Sequence, residues 1–255
     1  MEMKKVKVEY CGIEYDLFCS TTDSRTNLVS GRRGTQEGKV CTWVDMVSKL
    51  KSNRVFDIGS NYGEFLLPIA NIKRQIYAFE PIKDVQNCLT KSVESLPFDT
   101  NHISVIQSAI SDETKMSVLN IPQSSGNASL DINCVKHRNT VVTQDVEQHD
   151  IHYYLKDCKN FVMKIDVEGL EYKILNRIME KDNFDWYCIM FEFNRFNHDK
   201  NNVIEDFLDG KQVMGIGSHR LELKNENFFT YSKDNSWGKL NDAHDIIVCK
   251  NINWS

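Results

Sequence analysis

Asp57 stands two residues before Gly59 and six before Gly63, in the run RVFDIGSNYGEF. A carboxylate that closes an apolar run, followed by glycines that let the backbone approach a ligand, suggests a nucleotide-type site. A dinucleotide site normally reads G-x-G-x-x-G, the middle glycine admitting a pyrophosphate to a helix N-terminus. Here Ser60 and Asn61 follow Gly59, so that spacing is absent. The Asp57 carboxylate would also repel a pyrophosphate, whereas it suits a cation. S-adenosylmethionine is such a ligand, with its ammonium and sulfonium, and its ribose needs an acid nearby. Glu80 fits, 23 residues after Asp57 and stopped by Pro81. That is close to the spacing at which doubly wound folds present an acid to ribose hydroxyls.

A second group of acids follows later: Asp166 and Glu168 in KIDVEGLEYKIL, then Glu192 in FEFN. Methyl transfer from such a donor is an in-line displacement, and a hydroxyl acceptor would need a base or a metal to become a nucleophile near neutral pH. Asp166, ending an apolar run, is the candidate base, with Glu168 and His198 as further catalytic candidates and His244 also near the expected edge. Glu168 and Glu171 are placed in the first turn of the next helix, where acids also serve simply to stabilise it. Asp166 and Glu192, at adjacent strand ends, form a candidate site for Mg²⁺ or Mn²⁺. His149 and His152 are placed on an outer helix, away from the chemistry.

These residues need a sheet to align them. Short apolar runs alternate with amphipathic segments, the pattern of parallel strands and crossover helices. Strands are predicted at 54–58, 74–80, from Ile103 through Ser111, at 160–166 and at 185–194. Helices are predicted from Gly63, over 82–96, over 149–158 and over 171–181. Residues 116–146 interrupt the pattern with short alternating pieces, an inserted set of strands or a flap. FFTYSK and HDIIVCKN are predicted to pair antiparallel at one edge.

At 255 residues and 41% hydrophobic content the chain can bury a full core, and a net charge of −5 argues against a nucleic-acid partner. Its N-terminus alternates charged and apolar residues, so no membrane span is expected there. The eight cysteines are scattered without a C-x-x-C pair, which predicts free thiols and a cytoplasmic protein. Residues 1–40 end in a polar stretch and are expected to form an extension that acts as a lid. Residues 41–255 are the expected catalytic domain.

VFDIGSNYGEF, YAFEP, SAISDE and KIDVEGLEYKIL, in that order, resemble the FkbM family of class I S-adenosylmethionine-dependent methyltransferases. The resemblance covers roughly residues 53–195. It implies an α/β, Rossmann-like class I methyltransferase fold: a seven-stranded, mostly parallel sheet with helices on both faces and one antiparallel strand. It further implies an O-methyltransferase acting on a sugar or glycan hydroxyl. Asp57, Gly59, Ser60, Asn61 and Gly63 would wrap the methionyl end of the cofactor, with Asp166 beside it. Glu80 and Pro81 would hold the ribose, and Ser108 and Ala109 would border the adenine. Family members more often carry alanine in place of Ser60. The acceptor would be a small molecule or glycan, and the chain could be part of a larger multidomain glycan-assembly protein. Two rivals are a NAD-dependent oxidoreductase using Glu80 on ribose and a non-catalytic binding module that kept the fold.

Overall fold

The computed structural model describes residues 2–138, 141–193, 202–217, 219, 221–233, 237–240 and 243–254. The chain opens with a hairpin, β1 (Met3–Tyr10) and β2 (Ile13–Ser20), followed by helices α1 (Ser24–Arg32) and α2 (Glu37–Lys49). Then come β3 (Arg54–Ile58), β4 (Gln75–Phe79), α3 (Lys83–Glu94) and β5 (Ile103–Ile106). The inserted region holds β6 (Ala109–Ser111), β7 (Lys115–Ile121), α4 (Ile132–Val135) and β8 (Val142–Asp150). After it run α5 (Ile151–Leu155), β9 (Asn160–Ile165), α6 (Glu171–Met179) and β10 (Trp186–Glu192). The last elements are α7 (Val203–Leu208), β11 (Gln212–Ile216), β12 (Phe229–Thr230) and β13 (Asp245–Lys250).

The central sheet has the order β12-β11-β13-β10-β9-β3-β4-β5. β5, β4, β3, β9 and β10 are parallel, while β13 runs antiparallel to both β10 and β11. This is the Rossmann-like arrangement expected, with one correction. A two-residue strand, β12, adds an eighth strand at the edge and a second reversed direction. Because successive strand residues face opposite sides, two cores result. Val55, Val162 and Met190 pack with Trp43 and Met46 of α2 and Leu89 of α3 on one face. Phe56, Met163 and Ile189 pack with Ile174 and Ile178 of α6 and Phe207 of α7 on the other.

Several expected elements differ. The predicted helix after Gly63 reduces to a single 3-10 turn, Leu67–Ile69, with Pro68 inside it; proline removes a helical hydrogen bond and clashes with the preceding turn. The predicted third strand divides. β5 stays in the main sheet, whereas β6 pairs with β8 in a separate three-stranded sheet. FFTYSK and HDIIVCKN do not pair with each other, since β11, unforeseen in the sequence, lies between them. His149 lies on β8 rather than on a helix.

Helix α2 runs unbroken across residue 40, where the extension was expected to end. Cys11 and Cys41 are disulfide-bonded, which corrects the expectation of eight free thiols. The hairpin turn and α2 bring their Cα atoms to 5.6 Å, within bridging range, and sequence spacing gave no sign of it. The cysteine argument for a reducing compartment therefore fails. Among the described residues, no helix is long and apolar enough to cross a membrane.

Candidate active site

The parallel strands end at one edge, and the loops after β3, β4, β5 and β9 line a cleft there. About 690 Å³ lies between its walls, part of it continuous with solvent. Gly59, Asn61, Glu80, Pro81, Ser108, Ala109, Asp166 and Glu168 all line it, as the sequence suggested. Asp57, Ser60 and Gly63 do not.

The reason for Asp57 is visible in the strand register. Asp57 on β3 sits directly opposite Lys164 on β9, and its side chain is 0% exposed. Lys164 Nζ lies 3.3 Å from Asp57 Oδ1 and 3.5 Å from Asp166 Oδ2, and donates to the Gly59 carbonyl at 3.0 Å. Burial opposes the ammonium, but Asp57 and Asp166 outweigh it and hold the Lys164 pKa above the ordinary lysine value. The cation that Asp57 meets is thus internal. A lysine inside the apolar run FVMKI was the available signal: a buried charge needs a partner.

The loop is shaped by close approach. Gly59 has φ +78°, and a Cβ there would lie 1.8 Å from the Asp166 carbonyl oxygen. The amides of Gly59 and Ser60 both donate to the Phe79 carbonyl, at 3.0 and 2.9 Å. They are therefore committed within the fold and do not form a phosphate cradle. Glu80 accepts from the amides of Asn61 and Ile82 at 2.9 and 2.8 Å. A carboxylate has about four lone-pair sites, so it keeps acceptors for ligand hydroxyls. Burial raises its pKa to about 7, against the pull of those two amides and of Lys164.

At the other side of β3, ligand oxygens of Asp166, Glu168 and Glu192 lie within 4.8 Å of one another. The side chain of Asp166 is 34% exposed. Glu168 precedes helix α6 rather than sitting in its first turn, and adopts φ +54°, uncommon for a residue with a Cβ. Burial, reinforced by Asp166 and Glu171, raises Glu168 to about 8. Burial and the neighbouring acids, Asp166 first, raise Glu192 to about 9. Glu171 is a holder of this turn: it accepts from the amides of Val167 and Gly169 at 3.0 and 3.1 Å. His198 and Asn194 lie outside the described residues. His244 lines a different cavity, beside Cys11 and Cys41.

Sequence reasoning missed the wall opposite the strand ends. Arg25 of α1 and Ser125, Gly126, Ser129 and Leu130 of the inserted region line the cleft. Glu64, just past the glycine loop, is buried and gathers this wall. It accepts from Arg25 Nη2 at 2.7 Å, from the Thr35 amide at 2.8 Å and hydroxyl at 2.9 Å, and from the Tyr10 hydroxyl. Asp23 accepts from the Tyr62 hydroxyl at 2.7 Å and from the Ser125 amide at 3.1 Å. No periodicity or motif marks these partners.

A family model described as methyltransferase FkbM domain matches residues 57–229, more than half of the chain. No curated protein matches the chain. Among solved structures, a 16S rRNA methyltransferase of T. thermophilus in complex with AdoMet and guanosine is 10% identical. It covers 97% of this chain and 50% of its own, with a TM-score of 0.43. Methyltransferase FkbM from Methylobacillus flagellatus KT is 13% identical, covers 77% of this chain and 43% of its own, and has a TM-score of 0.43. A SAM-dependent methyltransferase from Agrobacterium tumefaciens is 7% identical, covers 96% of this chain and 69% of its own, and has a TM-score of 0.46. The chain spans about half the length of the first two. At these scores the likeness carries no argument about activity or substrate.

Proposed function

Because the chain belongs to the FkbM methyltransferase domain family, we propose that it transfers a methyl group from S-adenosylmethionine to a hydroxyl oxygen of a small molecule, most plainly a sugar or glycan. The observation that carries this reading is the pair of cleft-lining carboxylates on either side of β3, Glu80 after β4 and Asp166 after β9. One suits ribose hydroxyls, and the other stands in a cluster suited to a proton or a cation.

When bound, S-adenosylmethionine supplies a methyl group on a sulfonium. Glu80 holds the ribose hydroxyls with its remaining lone pairs, and Ser108 and Ala109 border the adenine. Lys164 fixes the Gly59 carbonyl and the side of Asp166, so Asp57 acts through Lys164 as a positioning residue. Asp166 takes the hydroxyl proton. Glu168, raised to about 8, is largely protonated at neutral pH and is the poorer base. On this reading the N-terminal extension covers the cleft through Arg25, and because α2 runs across residue 40 the catalytic domain begins with that helix.

The experiment is incubation with labelled cofactor and a panel of glycans, with and without Mg²⁺ or Mn²⁺, alongside calorimetry with S-adenosylhomocysteine and with NAD. The commitment of the Gly59 and Ser60 amides to Phe79 favours the sulfonium donor over NAD. Micromolar binding of NAD alone would overturn this assignment. A cofactor-fold module without activity would bind S-adenosylhomocysteine and label no acceptor.

Glu80 gives a pH test. Donation by ribose hydroxyls favours its carboxylate form, while the free protein holds it near 7. Below that pH the ligand must displace a proton, so S-adenosylhomocysteine affinity should rise as pH is taken from 6 to 8. Binding at pH 6 should release a fraction of a proton, measured by calorimetry in buffers of different ionisation enthalpy. Glu80→Gln should flatten the pH profile. A flat wild-type profile would remove Glu80 from the ribose site.

The three-carboxylate cluster favours a second reading, in which Asp166, Glu168 and Glu192 hold Mg²⁺ or Mn²⁺. Three carboxylate oxygens suit such hard ions, and a metal there would lower the acceptor hydroxyl's pKa. On this reading, excess chelator should abolish turnover and added Mn²⁺ should restore it; unchanged turnover in chelator leaves Asp166 as a base without metal.

A further inference from the structure

Arg25 is the only cationic side chain lining the cleft among the described residues, and it shares the cleft with the acids Glu80, Asp166 and Glu168. It comes from α1, before the first residue matched by the family model. Its side chain is 17% exposed and is fixed from two sides. Nη2 donates to Glu64 at 2.7 Å, and the guanidinium lies so close to the inserted region that a Cβ on Gly126 would meet Nη1 at 2.6 Å. Glu64 is itself held by Thr35 and Tyr10, so the guanidinium is placed in advance of any ligand. Its Nε is buried and has no hydrogen-bond partner. A guanidinium offers five donors in a planar fork, of which Glu64 engages one.

We propose that Arg25 binds the carboxylate at the amino-acid end of the cofactor. This rests on the reading of the cleft as a site for S-adenosylmethionine. That donor carries two positive groups and one carboxylate. The positive groups suit the acids of the cleft, whereas among the cleft-lining side chains described only Arg25 offers the carboxylate a positive partner. The anchor of Arg25, Glu64, directly follows the Gly59–Gly63 loop assigned to the methionyl end. The N-terminal segment thus supplies a ligand-binding group as well as cover.

The test compares two cofactor-derived ligands by calorimetry on the full chain: S-adenosylhomocysteine, which has the carboxylate, and 5′-methylthioadenosine, which lacks the amino-acid tail. Losing a charge-assisted hydrogen bond corresponds to about a 10- to 100-fold loss of affinity. Arg25→Gln should weaken S-adenosylhomocysteine by that factor and change 5′-methylthioadenosine by less than about threefold. Arg25→Lys keeps a positive charge opposite Glu64 and guards against a folding defect; it should lose less, and again only for the tailed ligand. Equal losses for both ligands in both variants would make Arg25 a fold-holding partner of Glu64 and overturn the proposal. Unchanged S-adenosylhomocysteine affinity with a raised acceptor KM would move Arg25 to the acceptor side and overturn it as well. If the wild-type protein binds neither ligand, the functional reading itself fails, and the assignment of Arg25 falls with it.

Discussion

Asp166→Asn should lower turnover by about a hundredfold or more, the range expected when a general base is removed, while S-adenosylhomocysteine affinity stays within about tenfold. The asymmetry follows from where Asp166 stands. It lines the cleft beside Glu168, with a Glu192 oxygen within 4.8 Å, and the loss of a base or metal ligand acts on the chemical step. The fold tolerates the change because Lys164 keeps its contacts to Asp57 Oδ1 at 3.3 Å and to the Gly59 carbonyl at 3.0 Å. Asparagine also matches the shape of the lost carboxylate. Steady-state rates with the acceptor found in the glycan panel, beside calorimetry, give both numbers. Turnover within threefold of wild type would remove Asp166 from the chemistry on either reading.

Gly59→Ala is the variant with the largest expected structural cost. A left-handed φ costs a residue with a Cβ about 1–2 kcal/mol, and an overlap that forces the backbone to move typically adds about 1–3 kcal/mol. Here the Cβ would lie 1.8 Å from a backbone oxygen, that of Asp166, which cannot rotate away as a side chain would. For a chain of this size roughly 3 kcal/mol lowers the Tm by about 6–12 °C. The same shift would pull Asp166 from its place, so S-adenosylhomocysteine binding and turnover should fall together. Gly12→Ala separates the two causes, because Gly12 has φ +75° and nothing within 4 Å of its Cβ position. Its Tm should drop by only the conformational part. A Gly59→Ala protein no less stable than Gly12→Ala would show that the β3 loop and Asp166 can separate freely.

The parallel half of the sheet was legible because β3, β4, β9 and β10 are buried on both faces and read as short apolar runs closed by acids. For the same reason Glu80, Asp166 and Glu192 could be placed at one edge from sequence alone. What escaped depends on partners distant in the chain. The burial of Asp57 is decided by Lys164, 107 residues later and adjacent only in strand register. β11 is five residues long and includes Gly215, and it is a strand because β13 pairs with it. The division between β5 and β6 follows from β8, which draws Ala109–Ser111 into another sheet. Arg25 and Glu64 each look like solvated surface charges in sequence, and their ion pair, with Thr35 and Tyr10 also on Glu64, forms only in the fold.

The disulfide between Cys11 and Cys41 closes a ring with a sequence separation of 30. Within that ring lie Arg25 and Thr35, both of which reach Glu64. On the chain-entropy account, a closure of this length restrains the unfolded chain by about 3–4 kcal/mol. The cleft wall is therefore stapled to the body of the molecule by a bond that thiol reductants can open, and the order of that wall is tied to the electron balance of its surroundings.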